Sequence, residues 1–239
     1  SGPEPTVAQT DNGYTVVVTD TNGEGSTISD VQATTIPVYQ WGGNLRIPLA
    51  NINKIEGISE ASFGFSLMRI TMSDGQIIEG ETNRGSINGN LAGVKYTINV
   101  PNIHSMAIVN KPASAQKTDV SSNLYDKITA IVLTQTGEEL SLSEVEMIWL
   151  NNSSDLSDSD WFTLYKGGGE LRLNLSEVKT IQIEQEGSKK SIAVETSAGS
   201  VLKGAPKYGW YIAGKIDGKE NLGLFVIGLE DLSSANLGT

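Results

Sequence analysis

The sequence predicts an all-β protein of two tandem, homologous lobes, each a small curved antiparallel sheet or barrel, with very little helix. Three observations carry that prediction. LRIPLANINKI at 45–55 returns as LRLNLSEVKTI at 171–181, with Leu45/Leu171, Arg46/Arg172, Leu49/Leu175 and Ile55/Ile181 in register 126 residues apart. A match of that length marks an internal repeat. Apolar and polar residues alternate in short runs bounded by Gly, Asn and Asp, and no stretch sustains a 3.6-residue period over a dozen positions. Finally, 26 Gly and 19% charged residues in a chain of 239 suit a loop-rich β protein.

Residues 1–13 form a polar arm without apolar period, expected to fray. The first lobe spans 14–110. It opens with the strand YTVVVT, a TNGEG turn and STISDV, and a loop around Tyr39–Gly43 leads into LRIPLANINKI. MRITMSDGQIIEGE then reads as two strands about Asp74-Gly75, a strong hairpin dipeptide. SINGNLAG and YTINVPNIHSMAIV complete the lobe. Residues 111–123, rich in Ser, Thr, Ala and Lys, read as a linker.

The second lobe, 124–239, repeats the order. ITAIVLTQTGEELSLSEV follows TVVVTDTNGEGSTISDV at a spacing of 114, SIAVETSAGSVLKG follows MRITMSDGQIIEG at 124, and FVIGLEDL follows YTINVPNI at 129. The step from 114 at Val145 to 126 at Leu171 places an insertion of 12 residues within an inserted loop, 150–167. A shorter insertion falls near Lys219–Leu222. A finer motif recurs as ISDV, LANI, VPNI, LSEV, LSEV and LEDL: apolar, two polar or small residues, apolar. Each copy reads as a tight turn that pins an apolar residue at either end and helps to curve a sheet.

Net charge is −11, from 17 Lys and Arg against 28 Asp and Glu. This argues against nucleic acid and anionic membrane surfaces as partners, since both are recognised by clustered cations. With no Cys there is no disulfide framework, thiolate nucleophile or Cys-based zinc site. No apolar run approaches a membrane span. Ser1-Gly2 reads as a tag remnant. Thr/Asn/Gly-rich strands poor in Lys resemble exported bacterial β proteins in composition, so the expected location is periplasmic, cell-surface or extracellular.

The insertion Asn151–Trp161 is the most informative stretch, because the repeat closes without it. Asp155, Asp158 and Asp160 supply hard oxygen ligands suited to Ca²⁺, the one candidate cofactor. An ordinary solvated loop is the competing reading. Trp161 and Phe162, together with Tyr208, Trp210 and Tyr211, are candidate ligand or partner contacts: flat rings in segments that the first lobe lacks. The repeat-equivalent Tyr39 and Tyr165 read as structural. DTNGEG at 20–25 resembles the start of a calcium loop but has Val31 where a bidentate acid is required, so a hairpin turn is preferred. His104, the only histidine, stands where the repeat has Ser233, and no nucleophile motif accompanies it. Lys166–Gly169 lacks the Lys-Ser/Thr of a phosphate loop.

No catalytic residues are assigned. The expected function is a non-enzymatic exported or cell-surface β-repeat protein, an interaction or structural scaffold whose partner is another protein or a further copy of itself. One alternative is a carbohydrate-binding module that stacks glycan on the aromatics of the second lobe. Another is a glycoside hydrolase-like enzyme with a carboxylate pair that sequence does not single out.

Overall fold

The computed structural model describes residues 13–32, 34–59, 65–112, 128–150, 156–207 and 209–238. Strand dominates, and no helix among the described residues reaches seven residues. The arm as far as residue 12 and most of the expected linker lie outside the described residues. The chain divides into two compact units, residues 1–36 with 48–119 and residues 37–47 with 120–239.

The first repeat contributes β1 (Tyr14–Asp20), β2 (Gly25–Val31), β3 (Thr35–Gln40), β4 (Gly43–Pro48), β5 (Ile52–Ser59), β6 (Ser66–Met72), β7 (Ile77–Thr82), β8 (Ser86–Leu91), β9 (Val94–Asn99) and β10 (Ile103–Asn110). The second contributes β11 (Thr129–Thr134), β12 (Glu139–Leu150), β13 (Leu156–Ser159), β14 (Trp161–Lys166), β15 (Gly169–Asn174), β16 (Val178–Glu186), β17 (Lys189–Thr196), β18 (Val201–Pro206), β19 (Trp210–Ile216), β20 (Leu224–Gly228) and β21 (Leu232–Gly238).

The first unit is an antiparallel series β7-β6-β5-β10-β1-β2-β8-β9. The second unit contains the same series in its own strands, β18-β17-β16-β21-β11-β12-β19-β20. Period-two alternation turns equivalent residues inward. Val18 and Val132, Ile55 and Ile181, and Met106 and Ala235 are all fully buried. Each large aliphatic among them contributes roughly 1.5–3 kcal/mol of transfer free energy.

All six copies of the apolar–polar–polar–apolar motif bury both ends. Four of them, at 49–52, 100–103, 175–178 and 229–232, are built on single 3₁₀ turns between strands. The other two bend β2 and β12. Asp30 and Glu144, 114 residues apart, both take φ = 51°, the left-handed backbone of a bulge. The bend drives a carbonyl against the crossing strand: a Cβ on Gly89 would lie 2.5 Å from the Ser29 oxygen, and one on Gly214 2.9 Å from the Ser143 oxygen. Gly89 of INGNLAG and Gly214 of IAGKIDG are therefore required by this crossing.

Residues 37–47 belong to the first repeat by sequence and to the second unit by packing. β4 pairs with β20, with Leu45 opposite Phe225. Gly43 lies under the Phe225 ring, where a Cβ would come within 2.5 Å of it. At the hairpin tip Trp41 (φ 53°) and Gly42 (φ 76°) are both left-handed, as a two-residue type I′ turn requires. The Lys219 ammonium lies 4.6 Å from the Trp41 ring centroid, and Gly42 packs against Thr134.

Candidate functional site

The second repeat's insertion extends β12 well beyond the length of its counterpart β2, and β13 pairs back on it, Met147 opposite Ser159 through Leu150 opposite Leu156. Part of the expected loop is thus strand, and β14 replaces its C-terminal end. Residues 151–155, Asp155 included, lie outside the described residues. The extension carries Trp149, directly opposite Trp210 at the start of β19. Their ring centroids are 4.9 Å apart and tilted at 55°. Trp161, which opens β14, meets the Trp210 ring edge-on at 5.4 Å. Tilted and edge-to-face contacts suit the quadrupoles of aromatic rings.

Trp210 is the pivot. Only 5% exposed, it donates its indole N–H to the equally buried Thr163 hydroxyl at 3.1 Å. Trp149 and Trp161 remain half-buried and face a cavity of about 440 Å³, completed by Ser159, Thr163, Glu170 and Lys207. That volume falls within the range of small-molecule sites. The Arg172 guanidinium stacks on Trp161 at 3.9 Å, reaching across from the neighbouring strand β15. Lys207 bonds Glu170 at 2.9 Å and lies 5.3 Å from the Trp149 centroid and 5.4 Å from that of Tyr165. The bond to Glu170 raises the Lys207 pKa above the usual lysine value, outweighing the opposing effect of desolvation. The rim therefore carries a fixed positive charge, a carboxylate and a guanidinium around an indole floor. Such a site can stack a flat or CH-rich face and hydrogen-bond its edges.

Of the sequence candidates, Trp161 and Trp210 come together here. Phe162 is corrected: it is fully buried, because alternation along β14 sends Phe162 and Leu164 into the core while Trp161 faces the cavity. Tyr211 is half-buried against the core cluster of Ile148, Ala213 and Val226. Tyr208 lies outside the described residues. Asp158 is described through its backbone alone, opposite Ile148 on β13, and Asp160 is exposed. Among the described residues no group of three or more His, Cys, Asp and Glu is placed to hold a metal. Tyr39 and Tyr165, read as structural, are 47% and 44% exposed. Trp149 was missed, because its partner is distant in sequence and only the β12–β19 register joins them.

In the first unit a larger cavity of about 980 Å³ is lined by amides, hydroxyls and backbone, with Arg84 and His104 and an apolar share from Ile58, Pro101 and Ile103. Asp20 closes the DTNGEG turn, accepting the backbone N–H groups of Asn22 (2.8 Å) and Glu24 (2.9 Å), a hairpin role instead of a metal role. No helix among the described residues is long and apolar enough to cross a membrane. No protein-family model, curated protein or solved structure matches the chain, so its function must be read from these side chains.

Proposed function

We propose that the protein is a non-enzymatic exported or cell-surface scaffold that assembles by sharing strands between β modules. One observation carries this reading: a hairpin of the first repeat, residues 37–47, completes the second unit through β4–β20 pairing. The end of this module's sheet therefore accepts a strand from a different module, which is strand addition carried out within one chain. Thr/Asn/Gly-rich strands poor in Lys support the exported location. Sedimentation of the purified protein over a concentration series tests the reading. The expected result is species heavier than the 25.5 kDa monomer that grow with concentration. A strict monomer at every concentration overturns it.

A second reading, a carbohydrate-binding module, draws on Trp149, Trp161 and the Glu170–Lys207 rim. Indole faces stack on sugar rings, and the charged rim suits hydroxyls. A glycan array with the Trp149→Ala, Trp161→Ala double variant beside the native chain tests it. Binding lost in the folded variant supports the module, and no binding by the native chain removes it.

A further inference from the structure

The second unit ends in a satisfied edge and the first unit does not. β20 has β19 on one side and β4 on the other. Its repeat equivalent, β9, pairs with β8 and, among the described residues, has nothing on its outer side. Likewise β4 pairs with β20, whereas its equivalent β15 pairs only with β14 among the described residues. Among the described residues β9 therefore offers an unused acceptor edge and β15 an unused donor edge, and the pair that is used shows how they fit.

We propose that β15 of one copy of this chain docks on β9 of a second copy, in the register of β4 on β20. The inference rests on the assembly reading above and names its surface and partner. The repeat offsets convert the observed register directly. Leu45 opposite Phe225 becomes Leu171 opposite Tyr96, Asn44 opposite Val226 becomes Glu170 opposite Thr97, and Arg46 opposite Leu224 becomes Arg172 opposite Lys95.

Three features of the free edges fit this use. The aromatic knob and its glycine hole are both kept: Phe225 over Gly43 corresponds to Tyr96 over Gly169. A Cβ on Gly169 would have no neighbour closer than 3.9 Å, so the hole stands open in the single chain. Burial differs in the direction expected of a separated pair. Gly43, Leu45, Phe225 and Val226 are buried, whereas Gly169 and Thr97 are exposed and Leu171 and Tyr96 half-buried. Neither edge carries a proline or a bulge, two of the protections of an exposed strand, and the charged protection is limited to Lys95 on β9 and Glu170 and Arg172 on β15.

The match departs from its template at two points, and both weaken it. The Trp41–Lys219 stack has no counterpart, because position 167 is Gly and the short insertion carrying Lys219 is absent from the first repeat. Lys95 also faces Arg172, a like-charge pair, with Glu170 on the diagonal as partial relief. Contact is therefore weaker between copies than within the chain. It is also heterologous: each copy uses different surfaces as donor and acceptor, which builds a ring or a filament instead of a closed dimer.

Sedimentation of the full chain with three variants tests this. Gly169→Val fills the hole with a side chain that the single chain has room for, and it is expected to weaken association at least about tenfold while leaving thermal unfolding of the monomer unchanged. Lys95→Glu replaces the like-charge pair by an ion pair and is expected to tighten association about twofold to fivefold. Ile131→Thr, at an exposed position of the central strand β11 away from both edges, is expected to leave it unchanged. Association that survives Gly169→Val unchanged overturns the β15–β9 contact and leaves the assembly reading standing. A native chain that never associates overturns both.

Discussion

The β3–β4 hairpin and the β14–β15 hairpin share Gly at 43 and 169, Leu at 45 and 171 and Arg at 46 and 172, yet their surroundings differ. Leu45 is fully buried with Phe225 opposite it, while Leu171 is half-buried on an edge. Arg46 is half-buried on the paired strand, and Arg172 is exposed and stacked on Trp161. The same sequence pattern thus serves as core in one place and as unused edge in the other. What differs is the availability of a neighbouring sheet. Burial at these positions is a property of assembly as much as of the strand itself.

The largest expected effects break that comparison at its centre. Leu45→Ala should cost about 2–5 kcal/mol of unfolding free energy, because the cavity beside Phe225 cannot collapse fully. Leu171→Ala should cost about 1 kcal/mol or less in the monomer, since solvent already reaches it. Urea denaturation at a concentration below association measures both, and equal losses would contradict the different burial. Gly43→Val should cost about 1–3 kcal/mol by overpacking against Phe225, and Gly169→Val nothing measurable in the same assay.

A smaller effect sharpens the contrast between the tryptophan cleft and the first repeat, which has Thr35 in place of Trp161 and Gly85 in place of Trp210. The cleft depends on Trp210 being held by Thr163. Thr163→Val keeps the shape but leaves the buried indole N–H without its acceptor, for about 1–3 kcal/mol. Unfolding monitored by tryptophan fluorescence should show both the loss of stability and a shift in native emission. An unchanged emission spectrum would mean that the Trp210–Thr163 bond does not hold the ring.

Much of the fold was legible because it is written in local signals. Alternation marked the strands, Gly75 sits at φ = 88° in the turn expected at Asp74-Gly75, and the ISDV-type motif marked chain bends that bury both apolar ends. The ownership of residues 37–47 was not legible, because a strand's sequence records that it needs a neighbour and not which sheet supplies one. The site was half legible. Absence from the first repeat pointed to Trp161 and Trp210, but Trp149 required the β12–β19 register. Phe162 was misread although the signal was present: it aligns with Ile36 and shares a face with Leu164, the equivalent of Val38, and all four are buried.

The smallest effect is electrostatic and separates the cleft's rim from its floor. Lys207 bonded to Glu170 has a raised pKa, so the folded chain holds this proton more tightly than the unfolded chain. The sign follows from linkage: the contribution is complete below the unfolded lysine value of about 10.4 and disappears as pH rises through the raised folded value. Solvent still reaches both side chains, 25% and 45% exposed, which keeps the effect small. Comparing thermal unfolding of the native chain with that of Lys207→Met cancels the titration of every other lysine and tyrosine. The difference should be constant from pH 7 to about 10, decline above the unfolded lysine value and vanish only above the raised folded value. A difference that persists unchanged at the alkaline end would assign the Lys207 contribution to packing of its methylenes on Trp149 instead of to its charge.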